Sequence, residues 1–449
     1  MLSHLTIVVA LALMCVAPLS WRNCVKLLLY LVVFEGAIRK WLLPGSQEAV
    51  FFAKDVVAVV AYVKFLNDTK VPRRLPPYNL IFKVLLGASA FYALCEACNP
   101  NTGSPLVGAI GAKNYILYIP LTFLVGHLFD SQRALYRFLR NFSLLALPMF
   151  VLSVFQYNAP ETSWLNVYAS ELQIRASVAD RPRITGTFSY ISGFASFLVF
   201  LSAIVVPFLY LKQSWWYWLL CRVNIVLITA CMLMTGSRST LVFLLCFSFG
   251  YLALNPALLL PRNVIRAAPS VIGMLLVMST FFYEELENYI FRVETSSDKV
   301  HERVVLAVLE PFYFMPEAGL IGFGAGATYQ GADRIRQVFD LQAGTPIAAS
   351  YEGEPGRVML EFGPLGFCLW FGMRVFCVLL LWRLFYSLRL PLTRQLAITA
   401  TLFHTISLVS PLVFSAGSSV FYWFLAGFIF LLPRIEAAEI AQSNAQQQG

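Results

Sequence analysis

The sequence has few charged residues for its length. Only 13% of its 449 residues are Asp, Glu, Lys or Arg, whereas 59% are hydrophobic. A soluble domain carries roughly a quarter charged residues, so this scarcity excludes an ordinary soluble protein. The chain also lacks the alternating segments of about ten residues that a membrane β-barrel requires. Apolar runs of roughly 16 to 25 residues recur instead, and each is long enough to cross a hydrocarbon core as a helix.

Metal, disulfide and nucleic-acid functions find little support. The nine cysteines are odd in number and lie mostly inside apolar runs, which favours packing over a disulfide framework. Cys95 and Cys98 form a lone CxxC with no second pair and no nearby histidine, so we predict no metal site and no cofactor. The net charge of +9 comes mostly from short loops, where basic residues set topology, and we expect no nucleic acid partner.

The apolar runs predict an all-α polytopic membrane protein with about thirteen transmembrane helices, in a range of about 12 to 14. Residues 1–283 are predicted to be transmembrane helices joined by short loops, and 284–356 one large outer loop with short helices. Residues 357–433 are the C-terminal spans, and 434–449 a polar cytoplasmic tail that we expect to be flexible. The sequence indicates no soluble domain at either end and no removed signal peptide.

The distribution of lysine and arginine predicts the orientation in the membrane. Basic clusters recur in every second loop, which places those loops in the cytoplasm. The amino terminus and the long segment 284–356 then face outward.

Several arginines lie on the outer side, which this rule disfavours. Arg39, Arg183, Arg238 and Arg357 come from separate parts of the chain, yet each lies where an outer loop meets a span. Taken singly, each could extend its charge to the interface along an apolar stem. Taken together, they favour an anion site, because guanidinium groups bind phosphate through two parallel hydrogen bonds. We therefore predict that these arginines bind a lipid-linked diphosphate.

Carboxylates near the same depth are candidates for proton transfer or for orienting the cations. Glu361 follows Arg357 by four residues, on the same helix face, and either orients that arginine or accepts a proton from a substrate hydroxyl. Glu354 and Glu352 are the other candidate bases.

A second group of charges lies near the amino terminus. Glu35 and Arg39 share one helix face, and Lys54 and Asp55 enter the next span at a similar depth. The pattern predicts one buried ion-pair cluster, with a structural or a catalytic role.

Four stretches carry a resemblance to a known family. They are RITGTF (183–188), TGSRSTL (235–241), HERVVLAVLEPFYFMPEAGLIGFGAG (301–326) and EPGRVMLEFGPLG (354–366). With these, the chain resembles the O-antigen ligase and Wzy-type polysaccharide polymerase superfamily of bacterial inner-membrane proteins. EGAIRKWLLP (35–44) is similar to the N-terminal region of exopolysaccharide polymerases in this group.

The resemblance implies a GT-C-like glycosyltransferase that uses neither metal nor nucleotide. Its donor would be an undecaprenyl-pyrophosphate-linked oligosaccharide on the periplasmic face, transferred to a sugar hydroxyl. The residues it implies for the pyrophosphate are Arg183, Arg238 and Arg303, with Arg357 as a further candidate. The implied location is the bacterial inner membrane, and the implied partners are membrane lipid and a chain-length regulator protein.

Three alternatives to a repeat-unit polymerase stay open. A ligase acting on lipid A core should carry a histidine late in the large loop, and this loop has only His301 near its start. A lipid-glycan transporter or flippase should show two repeated halves, and we find no repeat and one dominant outer loop. A structural membrane protein would leave the outer arginines unexplained.

Overall fold

A computed structural model of the chain describes residues 2–71, 80–169, 177–178, 181–211, 214–261, 300–347, 351 and 353–448, together with 272, 275–276, 279–280, 283–284, 287 and 290–291. Helices in the first half are α1 (Leu2–Val16), α2 (Trp21–Ala37), α3 (Gln47–Asn67), α4 (Leu80–Ala97), α5 (Pro105–Ile116), α6 (Leu121–Val125), α7 (Gln132–Ser143), α8 (Ala146–Asn158) and α9 (Ile191–Val205). Those in the second half are α10 (Trp215–Met234), α11 (Arg238–Leu254), α12 (Val300–Ala318), α13 (Ala332–Phe339), α14 (Glu354–Ser387), α15 (Pro391–Ile406), α16 (Ala416–Ala426) and α17 (Phe428–Gln448).

Short turns and one small hairpin complete the described structure. A π-helical turn, Ile38–Leu42, follows α2. The 3-10 turns are Pro44–Ser46, Pro100–Thr102, Trp164–Asn166, Val206–Tyr210, Pro256–Leu259 and Ser407–Val409. The strands β1 (Ser177–Val178) and β2 (Arg181–Pro182) pair antiparallel and are the only β structure among the described residues.

The prediction of an all-α polytopic membrane protein is confirmed. Seven described helical segments are long and apolar enough to cross a membrane: Leu80–Ala97, Pro105–Val125, Gln132–Asn158, Ile191–Leu209, Trp215–Met234, Glu354–Ser387 and Ala416–Gln446. Two further apolar helices, Thr6–Val16 and Arg238–Leu254, are shorter. The count of about thirteen spans stays a prediction. One of them is predicted at 265–283, and most of its residues lie outside the described part of the chain.

Helix α16 lies at the centre of the bundle. Its side chains from Val420 to Phe424 are 0% exposed. A helix that is apolar on every side is stable only where other helices surround it, and α16 packs against α2, α6, α9 and α15. Phe421 stacks on Phe200 of α9 with 4.5 Å between the ring centroids.

The predicted outer segment 284–356 overlaps a spanning helix. It contains α12 and α13, but its last three residues form the first turn of α14, which begins at Glu354. Helix α12 packs beside this turn, and the amide of Gly353 donates to Glu310 of α12 over 3.2 Å. A Cβ on Gly356 would lie 2.5 Å from the Glu310 carboxyl carbon, so a larger residue would displace the Glu310 side chain.

The polar tail differs from the predicted flexible segment because α17 continues through residue 448. Glu436 is buried and accepts hydrogen bonds from the amides of Arg389 and Leu390, over 2.7 and 3.2 Å. It also accepts from the Thr393 hydroxyl. The tail therefore satisfies unpaired amides at the N-terminus of α15, and the predicted boundary at residue 433 falls inside a helix.

Candidate functional site

A cavity of about 580 Å³ lies between α9, α11, α15 and the segment that leads into α16. Many of its lining residues carry hydroxyl groups: Ser192, Ser196, Ser237, Ser239, Thr240, Ser407, Ser410, Ser418 and Tyr190. The remaining wall is apolar, from residues such as Phe243, Phe403, Leu412 and Phe421. Arg183 is half-buried and is the only charged side chain among the described residues of the lining.

The first turns of two helices, α9 and α11, line this cavity. Tyr190 is the N-cap of α9 and Ser237 that of α11, and neither N-cap side chain forms a capping hydrogen bond. The cavity lining continues into each first turn, through Ser192 in α9 and Thr240 in α11. Amides at a helix N-terminus have no partner within the helix and carry a partial positive charge. Together with Arg183, they give this wall the electrostatic character of an anion site.

Arg183 joins two of the stretches that the sequence singled out. Its Nε donates to the carbonyl of Thr235 over 3.0 Å, which places RITGTF beside TGSRSTL. Gly236 has φ of 58°, a left-handed conformation that ends α10 and lets the chain restart as α11. Arg238 is half-buried in the first turn of α11, and the residues on both sides of it line the cavity.

Polar side chains from other segments hold the loop that carries Arg183. Lys40 donates to the Thr185 hydroxyl and to the Gly186 carbonyl, over 3.0 and 2.7 Å. Gln156 accepts from the Gly186 amide over 2.8 Å. Burial lowers the pKa of the Lys40 ammonium to about 7. Thus the stretch EGAIRKWLLP supports the stretch RITGTF.

Arg39 lies away from the cavity lining. Its Nη1 donates to the Ser189 hydroxyl over 3.0 Å and lies 3.5 Å from Glu35. Glu35 also pairs with Lys54 over 2.7 Å, so these three charges form the predicted buried cluster. Asp55 pairs with Lys113 of α5 over 2.8 Å, and Lys54 and Lys113 both lie over the ring of Phe51, so Asp55 belongs to the same cluster.

Glu361 is enclosed and does not orient Arg357. Its carboxylate is 0% exposed and accepts from the Thr328 amide and hydroxyl, over 2.9 and 2.8 Å. The Tyr115 hydroxyl donates to its other oxygen over 2.8 Å. This geometry corrects the predicted contact with Arg357, because the side chain turns toward α5 and the glycine-rich run GLIGFGAG (319–326). Glu361 is also not among the residues that line the cavity.

The glycine-rich run closes a defect in α14. Gly363 has φ of 64° and ψ of −174°, and Pro364 has no amide hydrogen to donate to the carbonyl of Leu360. The amide of Phe323 supplies that bond over 2.8 Å, and the amide of Gly324 bonds to the Glu361 carbonyl over 2.9 Å. The run therefore supplies backbone hydrogen bonds to α14 at its kink.

The other predicted site residues are dispersed. The Arg357 guanidinium lies over the rings of Tyr351 and Phe414, with centroid distances of 5.1 and 4.6 Å. Glu354 forms an ion pair with Arg374 over 2.7 Å and is not part of the cavity lining. The Arg303 side chain and Glu352 lie outside the described part of the chain.

Sequence reasoning missed Arg374 and the cavity-lining segment Ser407–Leu412. Arg374 lies in the middle of an apolar run that was read only as a span. A charge at such a depth is costly and normally has a partner, and this signal was available in the sequence. The segment had no comparable signal, because it falls within the predicted span 394–414, whereas α15 ends at Ile406.

No group of three or more His, Cys, Asp or Glu side chains is placed to hold a metal in the described part of the chain. Searches with the sequence found no matching family model and no matching curated protein.

Proposed function

We propose that this chain is a polysaccharide repeat-unit polymerase that transfers a glycan from undecaprenyl pyrophosphate to a sugar hydroxyl on the periplasmic face of a bacterial inner membrane. The observation that carries the proposal is the joint presence of Arg183 and two helix N-termini on one cavity wall. A cation and the amides of helix N-termini together suit a diphosphate, and the hydroxyl groups nearby suit sugars.

In this reaction the acceptor oxygen forms a bond to the anomeric carbon of the donor. The bond from that carbon to the diphosphate oxygen breaks, the diphosphate keeps the electron pair, and the hydroxyl proton is released. Negative charge grows on the leaving diphosphate in the transition state. Arg183 and the N-termini of α9 and α11 would stabilise that charge where it develops.

Glu354 and Glu361 do not reach this cavity, so the proposal gives neither of them the role of general base. Arg238 and the Arg303 side chain stay candidate diphosphate ligands, as the resemblance implies. Arg39 acts through Ser189, next to Tyr190 of the lining, and so supports the loop rather than the anion.

The test replaces Arg183 by alanine and compares polymer length in membranes of producing cells. We expect Arg183→Ala to lower polymer formation by about 10²-fold, because it removes one charge-stabilising donor. Single lipid-linked repeat units should accumulate, as measured by mass spectrometry. Arg181→Ala is the matched control, since Arg181 is two residues away, partly exposed and paired with Glu284 over 2.8 Å. Normal polymer length in Arg183→Ala would overturn the proposal.

A further inference from the structure

One wall of the cavity is the irregular segment Ser407–Leu412 between α15 and α16. Ser407, Val409, Ser410, Pro411 and Leu412 of this segment all line the cavity. Beyond one 3-10 turn, its backbone has no regular hydrogen-bonding pattern, so its position depends on side chains that bind its amides and carbonyls.

Arg374 and Glu354 of α14 supply those bonds. Nη2 of Arg374 donates to the carbonyls of Ser407 and Ser410, over 2.5 and 3.2 Å. Oε2 of Glu354 accepts from the amides of Leu412 and Val413, the latter over 2.8 Å. The segment is therefore held from both ends by one pair of side chains.

Arg374 and Glu354 are both fully buried, and their opposite charges neutralise each other. Nη1 of Arg374 lies 2.7 Å from Oε1 of Glu354, and both side chains are 0% exposed. Isolated charges at this depth would be very costly, and their attraction to each other offsets much of that cost only if the geometry is good. Arg374 also donates through Nη2 to the backbone of the segment, and Glu354 accepts from that backbone through Oε2. The ion pair and the position of the segment are therefore coupled.

We infer that Glu354 and Arg374 are positioning residues that fix the Ser407–Leu412 wall and, through it, the fit of the diphosphate-linked donor in the cavity. The inference rests on the proposed function for the identity of the donor. It gives Glu354 a role other than general base, and it gives a function to Arg374.

The first test measures the position of the wall without any activity. The background lacks the five exposed native cysteines, Cys15, Cys95, Cys98, Cys246 and Cys368. Ser410→Cys reports on the wall, and Ser192→Cys reports on the first turn of α9. We expect Glu354→Gln to raise the rate of maleimide labelling at position 410 by about tenfold, because the ion pair with Arg374 is lost and a neutral amide holds the two backbone amides more weakly than a carboxylate. The rate at position 192 should stay within about twofold.

A second variant keeps this test decisive if a single change prevents folding. The double variant Glu354→Gln, Arg374→Met leaves no buried charge unpaired, so it should fold better than either single variant. It lacks the bonds from Arg374 to the carbonyls of Ser407 and Ser410, and we expect the same rise in labelling at position 410. An unchanged rate in folded Glu354→Gln or in the double variant would overturn the inference.

The second test separates positioning from catalysis in reconstituted protein supplied with an undecaprenyl-pyrophosphate-linked oligosaccharide. Positioning predicts that Glu354→Gln raises the donor KM about tenfold, with a smaller change in kcat and the same pH profile. A fall in kcat alone, with loss of the acidic limb of the pH profile, would identify Glu354 as a base and overturn the inference. Wild-type protein that does not use this donor would overturn the proposed function, whereas the labelling rates would still decide whether the ion pair holds the wall.

Discussion

The Arg183 cavity and the Glu361 cluster differ in what surrounds the charged side chain. Thr328 and Tyr115 occupy both oxygens of Glu361, and the carboxylate is 0% exposed. Arg183 is half-buried at the wall of a cavity of about 580 Å³. Both residues satisfy the same sequence criterion, a charge beside an apolar span. Their surroundings separate a side chain that is enclosed by protein from one that lines a cavity.

This contrast has an energetic counterpart. A buried carboxylate with every oxygen bonded contributes to a unique packing, and its removal leaves several donors without an acceptor. A cation at a cavity wall contributes less to folding, because solvent or a ligand can satisfy it. Variants at the two sites should therefore separate stability from activity.

The largest expected effect on stability is at Glu361. Glu361→Leu leaves the Thr328 amide, the Thr328 hydroxyl and the Tyr115 hydroxyl unpaired, and we expect the free energy of unfolding to fall by roughly 3 kcal/mol or more. The measurement is thermal unfolding in detergent, followed by a thiol-reactive fluorophore that labels the buried cysteines Cys24, Cys221, Cys231 and Cys377. Arg183→Ala removes the bond to the Thr235 carbonyl and should cost less, roughly 1 kcal/mol. Equal losses in the two variants would remove the distinction between the sites.

A smaller loss is expected at Gly322, which meets the backbone of α14. Its φ is 75°, and an added Cβ would lie 2.5 Å from the carbonyl carbon of Glu361. Gly319 is a matched control, with φ of 63° and no atom within 4 Å of an added Cβ. We expect Gly319→Ala to cost about 1 kcal/mol through backbone strain. Gly322→Ala should cost roughly twice that in the same unfolding assay, because the clash adds to the strain. Equal costs would contradict the close approach.

The smallest expected effect is the pH dependence of stability that Lys40 causes. Lys40 holds the loop of Arg183, which lines the cavity. Its pKa is about 7 in the folded protein and about 10.4 in an unfolded chain. Below the folded value both states are protonated, and the penalty for burying the charge is complete. Between the two values the unfolded state binds more protons, so stability rises with pH.

We therefore expect the unfolding temperature to increase by a few degrees from about pH 7 to about pH 9.5. Lys40→Met should flatten this dependence relative to wild type, because it removes the titrating group. Lys70→Met, at an exposed lysine, is the control and should leave the slope unchanged. A wild-type slope in Lys40→Met would show that other groups cause the pH dependence.

Part of the site could be predicted from the sequence. Arg183 and Arg238 were singled out because the sequence places them on the outer side, where the charge rule disfavours arginine. The structure brings their stretches together through the bond from Arg183 to Thr235. Glu35 and Arg39 share a helix face because they are four residues apart, and their proximity follows from helical geometry alone. Local spacing was sufficient only for the pair of Glu35 and Arg39, since Arg183 and Thr235 are 52 residues apart.

The rest depended on contacts between distant segments. Glu361 appeared to face Arg357 by helical spacing, but its partners are Thr328 and Tyr115, 33 and 246 residues away in the chain. Glu354 was a candidate base until the structure placed it against Arg374 and the amides of Leu412 and Val413. No periodicity carries information about such pairings.

The sequence by itself determined that this chain is an all-α membrane protein, because a low charge content and long apolar runs leave the backbone no other way to satisfy its hydrogen bonds in lipid. The tertiary structure alone decided which charged side chains are enclosed and which line a cavity. The reason is physical: span formation depends on the composition of each segment, whereas the environment of a charge depends on which segments pack around it.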